Sequence, residues 1–334
     1  MKPTSSQDRG QSSFRSFVAK RSTKLSRSGT GSSKSYKSLN STPSPLLSSK
    51  SLSGARPSRK RALLIGVTYM KSKHELKGTI IDVKRIRSLL LDTFKFPREN
   101  ILVLTEEESE PAFVPTKKSI ENSFKWLVDD CQAGDSLVFY FSGHGVRQPD
   151  MDSDESDGFD ETICPVDFMQ AGSITDDAIR SSIVRPLKNG VTLNAIVDAC
   201  HSGTVLDLPF VYNIREKKWE KSGRSKDEKG TNGGLAISIS ACEDRQFAAD
   251  TSSCIGKSSM TGGAMTYILI EIAKKNPEMT YGTLLDSIYN YIQKANKGGC
   301  LPGIFKKVLN DIISQRPQLS ASEEFDIYDR SFVL

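Results

Sequence analysis

The sequence predicts an α/β fold, a mainly parallel central sheet with helices on both faces. Three observations carry this. Short, almost wholly apolar runs recur along the chain, as strands buried on both faces require. Segments of helical periodicity alternate with them, and strand–helix alternation brings right-handed crossovers and parallel pairing. Two of the runs end abruptly in small polar residues bearing a His and a Cys, as strands do when they lift side chains to the ligand-binding rim of an open sheet.

Taken in order, the run 61–67 (RALLIGV) reads as the first strand. Ile80, Ile81, Val83, Ile86, Leu89 and Leu90 fall at helical spacing and predict a helix over 77–94. A second strand is expected at 101–104, then a helix over 116–131 with Ile120, Phe124, Leu127 and Val128 on one face. The run 137–141 is the third strand and ends in Ser142-Gly143-His144-Gly145. An acidic stretch follows, with Asp150, Asp152, Asp154, Glu155, Asp157, Asp160 and Glu161, and then a helix over 175–184 beginning near Asp176 and Asp177. The strand 192–197 ends in Asp198-Ala199-Cys200-His201-Ser202-Gly203. Residues 207–233 read as an exposed basic loop, 235–240 as a strand, 262–275 and 280–294 as helices, and 325–334 as a last strand. The organisation expected is a basic tail (1–60), a large region (61–206), the loop, and a small region (234–334).

Composition separates the tail from the rest. Residues 1–61 hold 14 Lys and Arg and one acid, whereas 62–334 hold 32 basic and 39 acidic residues. The overall charge of +6 therefore describes neither part. The Ser-rich tail has too little apolar surface to offset its ordering entropy and is expected to be disordered. It lacks the apolar core of a secretory signal, and no later run reaches the length of a membrane span. An intracellular, cytoplasmic location follows, with the nucleus and an organellar transit peptide as open alternatives. Nothing requires a nucleic-acid partner. Six cysteines without a C-x-x-C pair suggest neither a zinc site nor a disulfide framework.

The chemistry centres on Cys200 and His144. A thiol attacks as its thiolate, and an imidazole beside it both lowers its pKa and later protonates a leaving amine. An acyl-transfer site also needs amide donors for the developing oxyanion, and the N–H groups of Gly145 and Cys200 are the natural pair. His74 has no comparable setting, and His201 directly follows the thiol, so its side chain should point elsewhere.

The motifs SGHG at 142–145 and DACHSG at 198–203 resemble the paired signatures of metacaspases, in the caspase-like group of cysteine peptidases. DETICPVDF at 160–168, SAC at 240–242 and GGAMT at 262–266 extend the likeness across about 60–334. The short loop between the two regions resembles type I, plant-like members, although the tail has none of the cysteines of their zinc-finger prodomain. The resemblance implies a caspase-like fold, with large and small subunit regions in one monomeric chain. It implies an endopeptidase that cuts protein substrates after Arg or Lys, made as a zymogen and processed by itself, in programmed cell death, stress response or proteostasis. The basic loop at 215–229 and Arg59-Lys60-Arg61 would supply cleavage sites. Asp82 and Asp198, with Ser142 beside them, match the family's substrate pocket; Thr79 stands where the family often has Cys. A desolvated pair of carboxylates suits a guanidinium.

Family members are activated by calcium, and the matching positions are Asp160, Asp176, Asp177 and Asp207. Hard cations take several converging oxygens, and four carboxylates would repel one another without one. A solvated acidic loop is the alternative. An EF-hand is excluded, because Asp157 stands where the turn glycine belongs. Against the peptidase stands a catalytically silent regulator or scaffold docking through its tail, but nothing structural calls for His144, Cys200 and two pocket acids together.

Overall fold

The computed structural model describes residues 57–151, 158–199, 202–222, 229–241, 263–296 and 317–334. The apolar runs become buried strands and the periodic segments become helices. β1 (Lys60–Gly66) leads to α1 (Thr79–Asp92), β2 (Ile101–Thr105), α2 (Lys117–Val128) and β3 (Ser136–Ser142). Helix α2 starts where Thr116 and Ser119 cap one another reciprocally, which satisfies otherwise orphaned N–H groups. Two antiparallel strands follow, β4 (Gly145–Pro149) and β5 (Phe159–Ile163), then the single turn α3 (Phe168–Ala171) and the short β6 (Ile174–Thr175). Next come α4 (Asp176–Ile179), β7 (Thr192–Asp198), β8 (Phe210–Asn213), β9 (Lys218–Lys221) and β10 (Leu235–Ser240). Helices α5 (Gly263–Lys275) and α6 (Tyr281–Asn296) and strand β11 (Gln318–Ala321) complete the order.

The main sheet runs β2-β1-β3-β7-β10-β11-β8-β9. The first five strands are mutually parallel and the last three add antiparallel. Alternation along the strands divides the interior into two layers. Leu64, Tyr140 and Ile196 face α1, α5 and α6, whereas Leu63, Phe139 and Val197 face α2 and the segment after α4. β4, β5 and β6 form a separate three-stranded sheet.

Three stretches differ from expectation. The basic loop 207–233 contains the hairpin β8–β9, whose Tyr212 and Trp219 meet edge to face at 5.3 Å. The acidic stretch after His144 is partly built into β4 and β5. No strand forms over 325–334; the last strand is β11, and the chain beyond it is irregular. Phe332 and Leu334 are buried there, so apolar character in this segment serves packing rather than pairing. The tail before residue 57 and Asp152, Asp154, Glu155 and Asp157 lie outside the described residues.

Candidate active site

The strand register brings the two motifs to one edge. Ser142 at the end of β3 pairs with Gly66 of β1 on one side and with Asp198 of β7 on the other. His144 and Cys200 each follow two positions after that matched pair, on neighbouring parallel strands. Cys200 and His201 lie outside the described residues. Gly145, the expected oxyanion donor, opens β4 opposite Ile163 and is buried.

The surroundings of His144 are built by the loop after β1, which composition alone left unassigned. Nε2 of His144 lies 2.8 Å from the carbonyl oxygen of His74. A carbonyl only accepts, so Nε2 carries the hydrogen and the neutral ring keeps Nδ1 as an acceptor. Burial lowers the pKa of this imidazole; the hydrogen bond to His74 opposes that and the nearby His74 ring adds to it. Burial therefore favours the neutral, proton-accepting form of the ring. His74, which had no setting in the sequence, thus contributes its backbone and also stands edge-on to His144, with ring centroids 6.2 Å apart. No sequence signal marks a functional carbonyl.

The three pocket residues converge on the opposite face. Ser142 and Asp198 project to the α1–α5 side, and α1 places Asp82 over the same strand ends. The close approach of α1 depends on Gly66: a Cβ there would come within 2.8 Å of Val83 and 3.1 Å of the Thr79 carbonyl. Thr79 is buried and its hydroxyl meets that of Thr68 at 3.0 Å, tying α1 to the loop after β1. Asp82 and Asp198 are each 1% exposed. Burial raises Asp82 to about 7 against the pull of Arg85, whose guanidinium stands 3.5 Å away. Burial first, and then the neighbouring Asp82, raise Asp198 to about 8. Thr266, from the GGAMT motif, donates its hydroxyl (2.5 Å) and backbone N–H (3.2 Å) to one oxygen of Asp198. The Tyr140 hydroxyl lies 3.0 Å from that of Thr266 and so donates to it. The Oδ2 oxygen of Asp82 is buried with no hydrogen-bond partner among the described residues. Two dry, under-neutralised carboxyl groups side by side are costly in isolation and suit an incoming cation.

The acidic residues gather on a third site around β5 and α4. Asp160 accepts from Gln148 (3.2 Å), and Asp176 accepts from the backbone N–H of Glu161 (3.1 Å) and of Asp177 (2.9 Å). Burial, then Glu161, then Asp207 raise Asp176 to about 9. Asp177 pairs with Arg180 at 3.2 Å, and Asp207 is held between Arg180 (2.8 Å) and Lys229 (2.6 Å). Glu161, not singled out by its position, is 2% exposed; it pairs with Arg147 at 2.8 Å and accepts from Thr204 at 2.7 Å. Thr204 and Asp207 belong to the segment that follows the Cys200 motif in the chain, so the cluster draws in that segment. The all-carboxylate donor set suits a hard divalent ion, and Asp176 is raised by its burial first and by the neighbouring negative charge second. As arranged, Arg147, Arg180 and Lys229 neutralise the cluster in part, and no three acidic, His or Cys side chains among the described residues are grouped to hold a metal ion.

Among the described residues no helix is long and apolar enough to cross a membrane. The crystal structure of protein GSU0716 from Geobacter sulfurreducens superposes with a TM-score of 0.52 at 19% identity, over 83% of this chain and 99% of that one, which is a likeness of fold. The family model described as "Metacaspase, peptidase C14 domain" matches residues 60–209. Metacaspase-1 of Arabidopsis thaliana is 47% identical across 83% of this chain and 79% of its own length. Metacaspase-3 of the same plant is 44% identical, across 83% and 76%. Metacaspase-1B of Neurospora crassa is 35% identical, across 80% and 68%. Likeness of that extent, on a sheet that matches the SGHG and DACHSG strands end to end, shows that the chain belongs to the metacaspase family of cysteine peptidases.

Proposed function

We propose that the chain is a calcium-activated endopeptidase that cuts protein substrates after Arg or Lys, with Cys200 as nucleophile and His144 as base. The observation that carries the specificity is the pair of buried carboxyl groups, Asp82 and Asp198, beside the matched strand ends. A guanidinium or ammonium entering between them gains charge-assisted hydrogen bonds in a dry site, and it relieves the unpartnered Asp82 oxygen. An acidic side chain would meet repulsion instead.

In this reading Nδ1 of His144 takes the thiol proton, because Nε2 is committed to the His74 carbonyl. The thiolate attacks the carbonyl carbon after the basic residue. The N–H groups of Gly145 and Cys200 receive the oxyanion. As the C–N bond breaks, the imidazolium passes its proton to the leaving amine, and water then hydrolyses the thioester. Calcium would be held by Asp160, Asp176, Asp177 and Asp207 and would supply positive charge to that cluster. For Asp207 to serve, Lys229 must give way. Self-processing fits the exposed turn around Arg215 and Lys217 better than Arg59-Lys60-Arg61; the rest of the basic loop at 223–228 lies outside the described residues. Lys60 lies in β1, and the Arg61 guanidinium is buried against the carbonyls of Trp126, Leu127 and Asp129.

The test is hydrolysis of matched Arg- and Asp-containing peptides, with calcium or a chelator, by the wild type and the Cys200→Ala variant. Calcium-dependent cleavage after Arg, lost in the variant, is expected. Equal behaviour of the two proteins would sink the nucleophile, and cleavage after Asp would sink the pocket.

A further inference from the structure

We infer that Tyr69 is a positioning residue for the catalytic imidazole, and that its own place is set by a carboxylate cradle from Glu106; this rests on His144 being the base. Tyr69 is 3% exposed and sits in the left-handed region at φ 54°, which a bulky residue adopts only when its surroundings impose it. The imposing group is Glu106. The Glu106 carboxylate, just past the end of β2, accepts the consecutive backbone N–H groups of Thr68, Tyr69 (2.9 Å) and Met70 (2.9 Å). Further bonds close the loop: Ser72 N–H donates to the Tyr69 carbonyl at 3.1 Å, and Leu76 N–H to that of Thr68 at 2.8 Å.

The fixed loop presents two groups to His144. One is the His74 carbonyl that selects its tautomer. The other is the Tyr69 side chain. Its hydroxyl donates to the Cys164 carbonyl at 2.7 Å and accepts the backbone N–H of His144 at 2.9 Å. Cys164 N–H in turn donates to the His144 carbonyl at 3.0 Å, so one hydroxyl staples the His144 turn to the end of β5. The Tyr69 ring lies under the imidazole, with centroids 4.8 Å apart and planes 35° apart. Gly143 makes room for this, since a Cβ there would meet the Tyr69 hydroxyl at 3.1 Å and the Phe141 ring at 2.8 Å. The first glycine of the SGHG motif is thus required both by Phe141 beside it and by Tyr69, 74 positions earlier in the chain. Tyr69 touches the base and not the reacting atoms, so it acts through orientation. Small misplacements of such a group have large kinetic effects.

The groups facing His144 are Tyr69 and His74 from the loop after β1 and Cys164 from the end of β5, with Glu106 behind the loop. Tyr69→Phe keeps the ring and removes both hydroxyl bonds. It should lower kcat about tenfold or more with KM within about twofold. The decisive readout is iodoacetamide alkylation of Cys200 against pH. If His144 pairs with the thiol, the wild-type midpoint should fall below the ordinary cysteine value of about 8.5, and Tyr69→Phe should move it upward. Glu106→Gln, which leaves the tyrosine in place and loosens its cradle, should move it the same way by less, and it carries the test if Tyr69→Phe does not fold. Unchanged midpoints in both variants, with any activity loss matched by loss of folded protein, would overturn the assignment. A His144→Ala midpoint equal to the wild type would instead remove the dyad, and the positioning role with it.

Discussion

Asp82 and Asp198 show what a pair of residues dictates. Their raised values mean that at pH below about 7 both are protonated in the unliganded protein, and above about 8 both are charged. A cationic substrate favours the charged forms, so kcat/KM for an Arg peptide should fall as pH drops from about 8 through about 7. The limb in kcat, which reports the bound state, should lie lower. Asp198→Asn should reduce kcat/KM on Arg peptides about 30-fold or more, as truncating one member of a buried charge pair does. A variant that keeps both the efficiency and the acid limb would refute the pocket. Asp198 was legible from its sequence only as a carboxylate at the end of a buried strand; a pocket role for it came from the family resemblance, and its burial beside Asp82 came from the structure. Tyr69 and His74 were not. Their contributions are a left-handed turn held by Glu106 from the end of the neighbouring strand and a backbone carbonyl further along the same loop, and neither leaves a trace in composition or spacing.

At the scale of elements, the ion pair of Lys229 with Asp207 joins the segment after β7 to the stretch before β10, with each side chain 5% exposed. A buried ammonium at 2.6 Å holds the place that a divalent ion would need on that carboxylate. Lys229→Ala should therefore tighten calcium binding, read as a larger calcium-induced rise in Tm at equal ion concentration. A variant with an equal or smaller rise would show that the lysine does not compete. The helices and parallel strands of this region were readable from periodicity. The hairpins β4–β5 and β8–β9 were not, because their strands are only four or five residues long and mix polar and charged residues with apolar ones, and such short, half-exposed strands resemble loops. The tail end 325–334 erred the other way: Phe325, Ile327 and Phe332 supply apolar character, but Phe332 packs edge-on against Phe94 and Tyr281 without extending the sheet.

For the molecule as a whole, the parallel half of the sheet followed from apolar runs buried on both faces, and with it the edge where the two motifs meet. The order of the other half could not be read, since β11 is short and enters from the far end of the sequence. That order has a consequence for a chain cut by its own activity. β10 and β11, from the C-terminal side of a break after Arg224 or Lys226, lie in the sheet between β7 and β8, which come from the N-terminal side. Each fragment is clasped by the other. The severed protein should migrate as two bands in denaturing gels yet elute as one particle of unchanged size, separating only when the sheet itself is unfolded. Fragments that part in native buffer would contradict this interleaving. Proteolytic maturation in such a molecule removes a covalent constraint without creating a second body.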